Sequence, residues 1–251
     1  CKNKKVMSYY ITDNWDNLSS KSILENNPDY IGVWGHQAKE HAIKIQDFIE
    51  RQIFLLGSPR FDLIYAKRNK IKNEDNNFKY ILFLGHLFEW NEESALEILD
   101  QEISNNKDLY KNLKIIYRPH PQRINRLRNV DFYSNVILDE DLKETGTSWP
   151  SLENYYNKIH NSLFVVGTLT SGLLESIASY KKYLLLCYFE KNDFFSQGKL
   201  IDQYTHVQEL KEISSLIFCN KKEEIHNHFR EAFKNLNKVG NKEKIDVEKK
   251  Y

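Results

Sequence analysis

Residues 164–178, FVVGTLTSGLLESIA, restrict what this chain can fold into more than any other stretch. Phe164–Val166 is a continuous apolar run, as expected of a strand buried on both faces. Gly167 ends it. Thr168, Thr170, Ser171 and Gly172 then form a hydroxyl-rich turn, and an apolar-periodic helix follows. A strand, a tight turn and a helix in that order make up the repeating unit of α/β proteins. The turn also carries chemistry. The first N–H groups of a helix have no partner within it and the helix dipole is positive there, so such a turn seats an anion. The plainer alternative is that Thr170 or Ser171 acts only as the helix N-cap.

The same alternation runs through the chain. Apolar strands are expected at 6–12, 30–35, 52–56, 80–85, 113–117, 136–138, 163–166 and 182–188, with a last short one at 216–219. Helices are expected at 36–50, where Ala38, Ala42, Ile45 and Ile49 recur at helical spacing, and at 92–104, 151–161, 173–180, 206–215 and 222–237. One or two helical turns fit within 19–26. The polar run AKRNKIKNEDNNFK (66–79) reads as a linker. The fold class is therefore α/β, with two Rossmann-like units facing each other across a cleft. Residues 1–66 form the N-terminal unit, 67–79 the linker, 80–240 the second unit and 241–251 a polar, frayed tail. Three strands before the linker are too few for a full unit. The N-terminal unit is expected to be incomplete, and the opening CKNKK fits a trimmed chain.

Composition removes several classes of function. The 251 residues are 41% hydrophobic and 28% charged, with net charge +1. That balance argues against wholesale nucleic-acid binding. No run approaches the ~18 apolar residues of a membrane span, and the start of the chain is not a signal peptide. Cys187 and Cys219 lie in or beside apolar runs, as expected of buried free thiols in a reducing compartment. His36 and His41, like His226 and His228, are not spaced to present one metal face. No HExxH, CxxC or Walker A pattern occurs. Neither a metal nor a cofactor is expected.

Ligands of open α/β sheets bind outside the carboxyl ends of the strands, and polar residues gather there. Gly85 and His86 follow one strand. Arg118, Pro119, His120 and Pro121 follow the next. Asp139, Glu140 and Asp141 follow Leu138, and Thr168, Thr170 and Ser171 follow Gly167. In the first unit, Asp13, Asn14 and Asp16 end one strand, Gly35 and His36 another, and Gly57, Ser58 and Arg60 the third. The prolines on either side of His120 restrict its backbone. A histidine so held beside Arg118 suits a phosphate, to which it can donate an N–H; a strand-end histidine bonded to a backbone carbonyl is the alternative. Asp13 and Asp16 are candidate bases for an acceptor hydroxyl, or else turn and N-cap residues. Lys21 is either a cleft charge or a surface lysine. Trp15, Trp34, Trp90 and Trp149 read as core or cleft wall.

YRPHP after a strand, TSG opening a helix, and DNWDNLSSK with PDYIGVWG and GSPRFD near the start together resemble GT-B-fold glycosyltransferases. The likeness is to the HP and S/T-S motifs of bacterial sialyltransferases, Kdo transferases, CDP-glycerol glycerophosphotransferases and related surface-carbohydrate proteins. It covers about residues 6–190. The resemblance implies a metal-independent transferase, either free in the cytoplasm or peripheral at the inner membrane, that builds a surface polysaccharide such as capsule or lipopolysaccharide. It also implies a nucleotide-sugar donor, with CMP-sugars favoured, and a saccharide or lipid-linked acceptor. By that resemblance His120 contacts the donor phosphate, and Thr170 and Ser171, with Gly172, bind it from the helix N-terminus. Arg118 beside His120 is a further candidate for the same phosphate, and Gly85 and His86 either touch it as well or form a turn with a capping residue. Leu138, Asp139 and Glu140 meet the nucleobase, largely through backbone groups. Glu175 reaches a ribose hydroxyl or is merely solvated. The alternatives are a polyol-phosphate transferase of the CDP-glycerol type, a non-catalytic nucleotide-sugar-binding domain, and a sugar-nucleotide 2-epimerase.

Overall fold

The computed structural model describes residues 4–21, 23–67, 78–87, 90–123, 130, 132–139, 141, 151–189 and 197–236. Glu140, Trp149, most of the expected linker and the expected 241–251 tail lie outside them. The described residues form two parallel sheets. The smaller contains β1 (Tyr9–Ile11), β2 (Tyr30–Val33) and β3 (Ile53–Leu55) in that order. The larger contains β4 (Lys79–Leu84), β5 (Leu113–Arg118), β6 (Val136–Leu138), β7 (Val165–Gly167), β8 (Tyr183–Leu186) and β9 (Leu216–Cys219), in the order β6-β5-β4-β7-β8-β9. All nine strands fall within or against the stretches expected from sequence.

Alternation along the larger sheet sends side chains into two cores. Tyr80, Leu82, Leu84, Val165, Tyr183 and Leu185 face one way. Ile81, Phe83, Ile115, Tyr117, Val166, Leu184 and Leu186 face the other. The second face is covered by α3 (Glu92–Asn105) and α8 (Ile225–Lys234), through Ala95, Leu96, Leu99, Ile225, Phe229 and Ala232. That spacing gives each helix one apolar stripe. The Asn91 side chain starts α3 by accepting the Ser94 N–H at 3.1 Å. The first face is covered by α4 (Leu152–Asn161) and α5 (Ser171–Ala178), through Tyr156, Ile159, Leu173, Leu174 and Ile177.

The helices differ from expectation at four places. The 36–50 helix stops early, as α1 (His36–Lys44). Asp47 takes a positive φ of 56°, and the Phe48 N–H bonds back to the Ala42 carbonyl at 3.0 Å. Phe48 rather than Ile49 thereby enters the small core with Leu18, Ile31, Val33, Ala38 and Ala42. A helix not expected from sequence, α2 (Pro59–Lys67), follows β3. Two further short helices are α6 (Gln197–Gln203), also unexpected, and α7 (Thr205–Gln208), which with a 3-10 turn at Glu209–Glu212 replaces the continuous 206–215 helix.

α2 joins the two sheets. It leaves the small sheet but packs on α4 and α5 of the large one. Phe61 and Ile64 share a core with Trp15, Trp34, Leu173 and Ile177. A second tie lies at α7. There His206 Nδ1 meets Ser19 Oγ at 3.0 Å, and Gln37 donates to the His206 carbonyl at 3.1 Å.

Candidate functional site

The register of three strands builds the site. Leu84, at the end of β4, is level with Arg118 of β5 on one side and Gly167 of β7 on the other. The loops that follow therefore leave the sheet at one rim. From β4 the chain runs outward to β5 and β6, and on the other side β7 continues to β8 and β9. The crevice where strand order reverses is where such sheets bind ligands. A cleft of about 560 Å³ opens there. Gly85, His86, Arg118, His120, Thr170, Ser171, Gly172 and Glu175 line it, with Leu84, Leu87, Pro119, Pro121, Leu152, Tyr155 and Leu169, and Asn14 and Arg60 reach it from the small-sheet side. The imidazole at 120 and the hydroxyls at 170 and 171 thus share one cavity.

His120 is half-buried, and its Nδ1 accepts the Gln122 N–H at 3.3 Å. In the neutral ring the proton then sits on Nε2. Burial, with the positive charge of Arg123, keeps the imidazole below its ordinary value. It is therefore a neutral donor near pH 7. Across the cleft, α5 begins at Ser171, with Thr170 in extended conformation as its N-cap and no side-chain bond closing the cap. The opening N–H groups of α5 and two hydroxyls face the same space as the histidine.

Beneath the rim a buried carboxylate ties two of the loops together. Glu92 accepts the His86 N–H at 2.8 Å, the Tyr117 hydroxyl and the Arg123 guanidinium at 3.1 Å. Arg123 also donates to the His86 carbonyl at 2.9 Å. Burial pushes the Glu92 carboxyl upward, while the Tyr117 and His86 hydrogen bonds and the Arg123 charge oppose that. Gly85 is required in this arrangement. A Cβ there would lie 2.8 Å from Glu92 Oε2, 2.9 Å from the Pro119 Cα and 3.1 Å from the His120 nitrogen.

Glu175 sits one turn into α5 and is only 2% exposed. Its Oε1 takes two N–H groups of Arg60, from Nε at 2.9 Å and from Nη2 at 2.6 Å, and its Oε2 takes the Tyr155 hydroxyl at 2.7 Å. Burial raises this carboxyl, and Arg60 and Tyr155 pull against the shift. Glu175 is thus not solvated, and both of its oxygens already accept hydrogen bonds from the protein.

Other expected site residues fall elsewhere. Arg118 lines the cleft, but its guanidinium pairs with Asp139 and lies over the Tyr155 ring at 4.8 Å. Asp139 is buried, also pairs with Lys158 at 3.1 Å, and with Leu138 stands apart from the cleft lining. Asp13 is exposed and accepts a bond from the Asn17 amide. Asp16 accepts from Ser20 Oγ at 2.8 Å and its carbonyl takes the Ser19 and Ser20 N–H groups. It shapes the turn at Asn17–Lys21, where Lys21 pairs with it at 3.2 Å. Neither aspartate lines the cleft; Asn14 between them does. Sequence reasoning placed Asn14 and Arg60 at strand ends without giving them a role, and it missed Tyr155. Their only signal was position at the rim. Among the described residues no group of three His, Cys, Asp or Glu could hold a metal ion, and no helix is long and apolar enough to cross a membrane.

No protein-family model matches the chain, and no curated protein matches it. Solved structures do. One is a Listeria monocytogenes protein assigned as a UDP-N-acetylglucosamine 2-epimerase, at TM-score 0.55 and 15% identity over 88% of this chain and 53% of that one. Another is S. aureus MnaA with UDP, at 0.52 and 14% over 89% and 54%. A third is the wall teichoic acid polymerase TagF soaked with CDPG, at 0.52 and 13% over 83% and 50%. The chain spans about half the length of each. The likeness is one of fold: two parallel sheets in a GT-B-like, Rossmann-type arrangement.

Proposed function

We propose that the chain is the donor-binding part of a glycosyltransferase that uses a nucleotide-activated sugar. In this reading residues 80–240 hold the donor, and the unit before residue 66 faces the acceptor, a saccharide or lipid-linked sugar. The observation that carries the reading is the meeting of His120 with the hydroxyl-bearing start of α5 in one cleft at the point where strand order reverses. The fold likeness to proteins solved with UDP and with CDPG is consistent with it.

The chemistry follows from the donor groups. When the bond from the anomeric carbon to the donor phosphate breaks, negative charge grows on that phosphate. In this reading the α5 N–H groups, Thr170, Ser171 and the His120 Nε2–H, which line one cleft, are the hydrogen-bond donors to that phosphate. They favour the charged state over the ground state, and each such donor contributes about 3–4 kcal/mol. In the neutral ring Nε2 already carries the proton, so His120 can donate to the phosphate without first being protonated. The cytidine preference implied by the resemblance draws no support from the cleft: Leu138 and Asp139 do not line it.

A second reading, a polyol-phosphate transferase, rests on the same anion seat, since a phosphodiester donor presents the same leaving phosphate. Calorimetry with CMP, CDP and UDP tests both. Binding of one of them, lost in Ser171→Ala and His120→Ala, supports the donor site. Failure of all three to bind the folded protein refutes it. Turnover of a nucleotide-sugar against a CDP-polyol then separates the two readings.

A further inference from the structure

The cleft has a second polar wall that the donor reading does not use, and it is built from the GSPRFD segment. Gly57 takes φ +73°, the left-handed turn that frees the chain from β3. Ser58 Oγ then accepts the Arg60 N–H at 3.3 Å and Pro59 opens α2, an N-cap followed by a first-turn proline. Phe61 anchors the helix edge-on against Trp34, ring centres 5.5 Å apart. These fixed points send Arg60 toward α5. There Glu175 Oε1 holds Nε and Nη2, which orients the guanidinium and occupies two of its five N–H groups. The side chain is still 39% exposed and lines the cleft. Asn14 lines the same cleft. Its Oδ1 accepts the Trp15 N–H at 3.0 Å, so its NH2 is the end offered to a ligand.

This wall therefore presents hydrogen-bond donors. The carboxylate beside it, Glu175, is already held on both oxygens. Both arginines of the lining are ion-paired, Arg60 with Glu175 and Arg118 with Asp139, but the Arg118 side chain is only 7% exposed, whereas Arg60 keeps exposed N–H groups that Glu175 does not take. The remaining N–H groups of Arg60 and the Asn14 NH2 suit a group that only accepts hydrogen bonds, such as a phosphate or carboxylate oxygen.

Resting on the donor reading above, we infer that Arg60 and Asn14 form an oxyanion subsite for the acceptor, which carries a phosphate or carboxylate close to the hydroxyl it presents. Arg60 is a specificity-determining residue: Glu175 aims it, and it selects anionic acceptors over neutral ones.

The test is calorimetry of inorganic phosphate against the folded protein saturated with UDP or CDP, whichever binds. Phosphate is expected to bind the nucleotide-loaded protein. Arg60→Gln is expected to weaken it by at least about tenfold and Asn14→Ala by a few-fold, as charge-assisted and neutral hydrogen bonds would, with nucleotide affinity unchanged in both. Arg60→Lys keeps a charge opposite Glu175 should the glutamine variant fail to fold, and is expected to bind phosphate several-fold more weakly. Unchanged phosphate affinity in Arg60→Lys and Asn14→Ala overturns the inference. So does a tenfold loss of nucleotide affinity in the Arg60 variants, which would assign Arg60 to the donor's own phosphates. Absence of nucleotide binding in the unaltered protein is a different failure, that of the donor reading itself.

Discussion

The two sheets are built to different standards. In the large one, β4 has a single exposed residue, and β7 and β8 are buried throughout. The small sheet is covered on one face by Leu18, Ala38, Ala42 and Phe48. On its other face Tyr9 and Ile11 of β1 and Phe54 of β3 are exposed, Ile11 by 66%. Parallel sheets are normally buried on both sides. The difference teaches that the two walls of the cleft owe their positions to different forces. The His120 and α5 wall is fixed by its own two-sided core. The Arg60 and Asn14 wall is fixed by its attachment to that core, through α2 and through α7.

Four experiments test this contrast. The largest effect is expected inside the large sheet's rim. Glu92→Leu strips the partner from the Arg123 guanidinium, the His86 N–H and the Tyr117 hydroxyl, and should cost about 3–5 kcal/mol in denaturant unfolding. A cost below about 1 kcal/mol would mean the loops stand without it. His120→Ala should leave unfolding unchanged and lower transfer by roughly 10²–10³. An unaltered rate removes the histidine from the mechanism.

Acid should act at the junction. Burial brings His206 down to about 4, outweighing the pull of Asp16. Between that value and the ordinary 6.5 the unfolded chain binds a proton that the folded chain refuses, so stability falls as pH drops through this window. The loss approaches about 3 kcal/mol near pH 4. His41, lowered by burial as well, acts in the same direction. Unfolding measured at pH 7 and pH 4.5 should show the decline, and His206→Gln should flatten it. The smallest effect belongs to the open face. Phe54→Ala should change stability by less than about 0.5 kcal/mol, whereas Ile81→Ala in the doubly covered sheet should cost about 2–5 kcal/mol. Equal costs would erase the distinction between the sheets.

Much of the fold was legible because buried parallel strands are near-continuous apolar runs, and YILFL, KIIY and YLLL can be read without knowing their neighbours. The rim of the cleft followed from those strand ends. The partners did not. Arg60 and Glu175 are 115 residues apart, and nothing local to PRFD announces a carboxylate on α5. Helix α2 was hidden because its charges and its nearness to a polar run resemble a linker, while Phe61 and Ile64 find their core only in tertiary structure. Glu92 looked like an ordinary first-turn acid of α3. Its role appears once β5 brings Tyr117 and the 120–123 turn beside it. Asp13 and Asp16 show the converse: strand-end carboxylates that the local turn engages.

The pairing of β4 with β7 has a consequence for how the molecule comes into being. Leu82 must wait for Val165, about eighty residues further along the chain, before the centre of the sheet can close. Contacts of such long range slow folding. During synthesis, β4 and β5 can pair early, but α5 reaches the histidine loop only after the elements between them have left the ribosome. Until then the edge of β4 that awaits β7 is unpaired and apolar, which makes the nascent chain prone to aggregation at the very seam that later becomes the cleft.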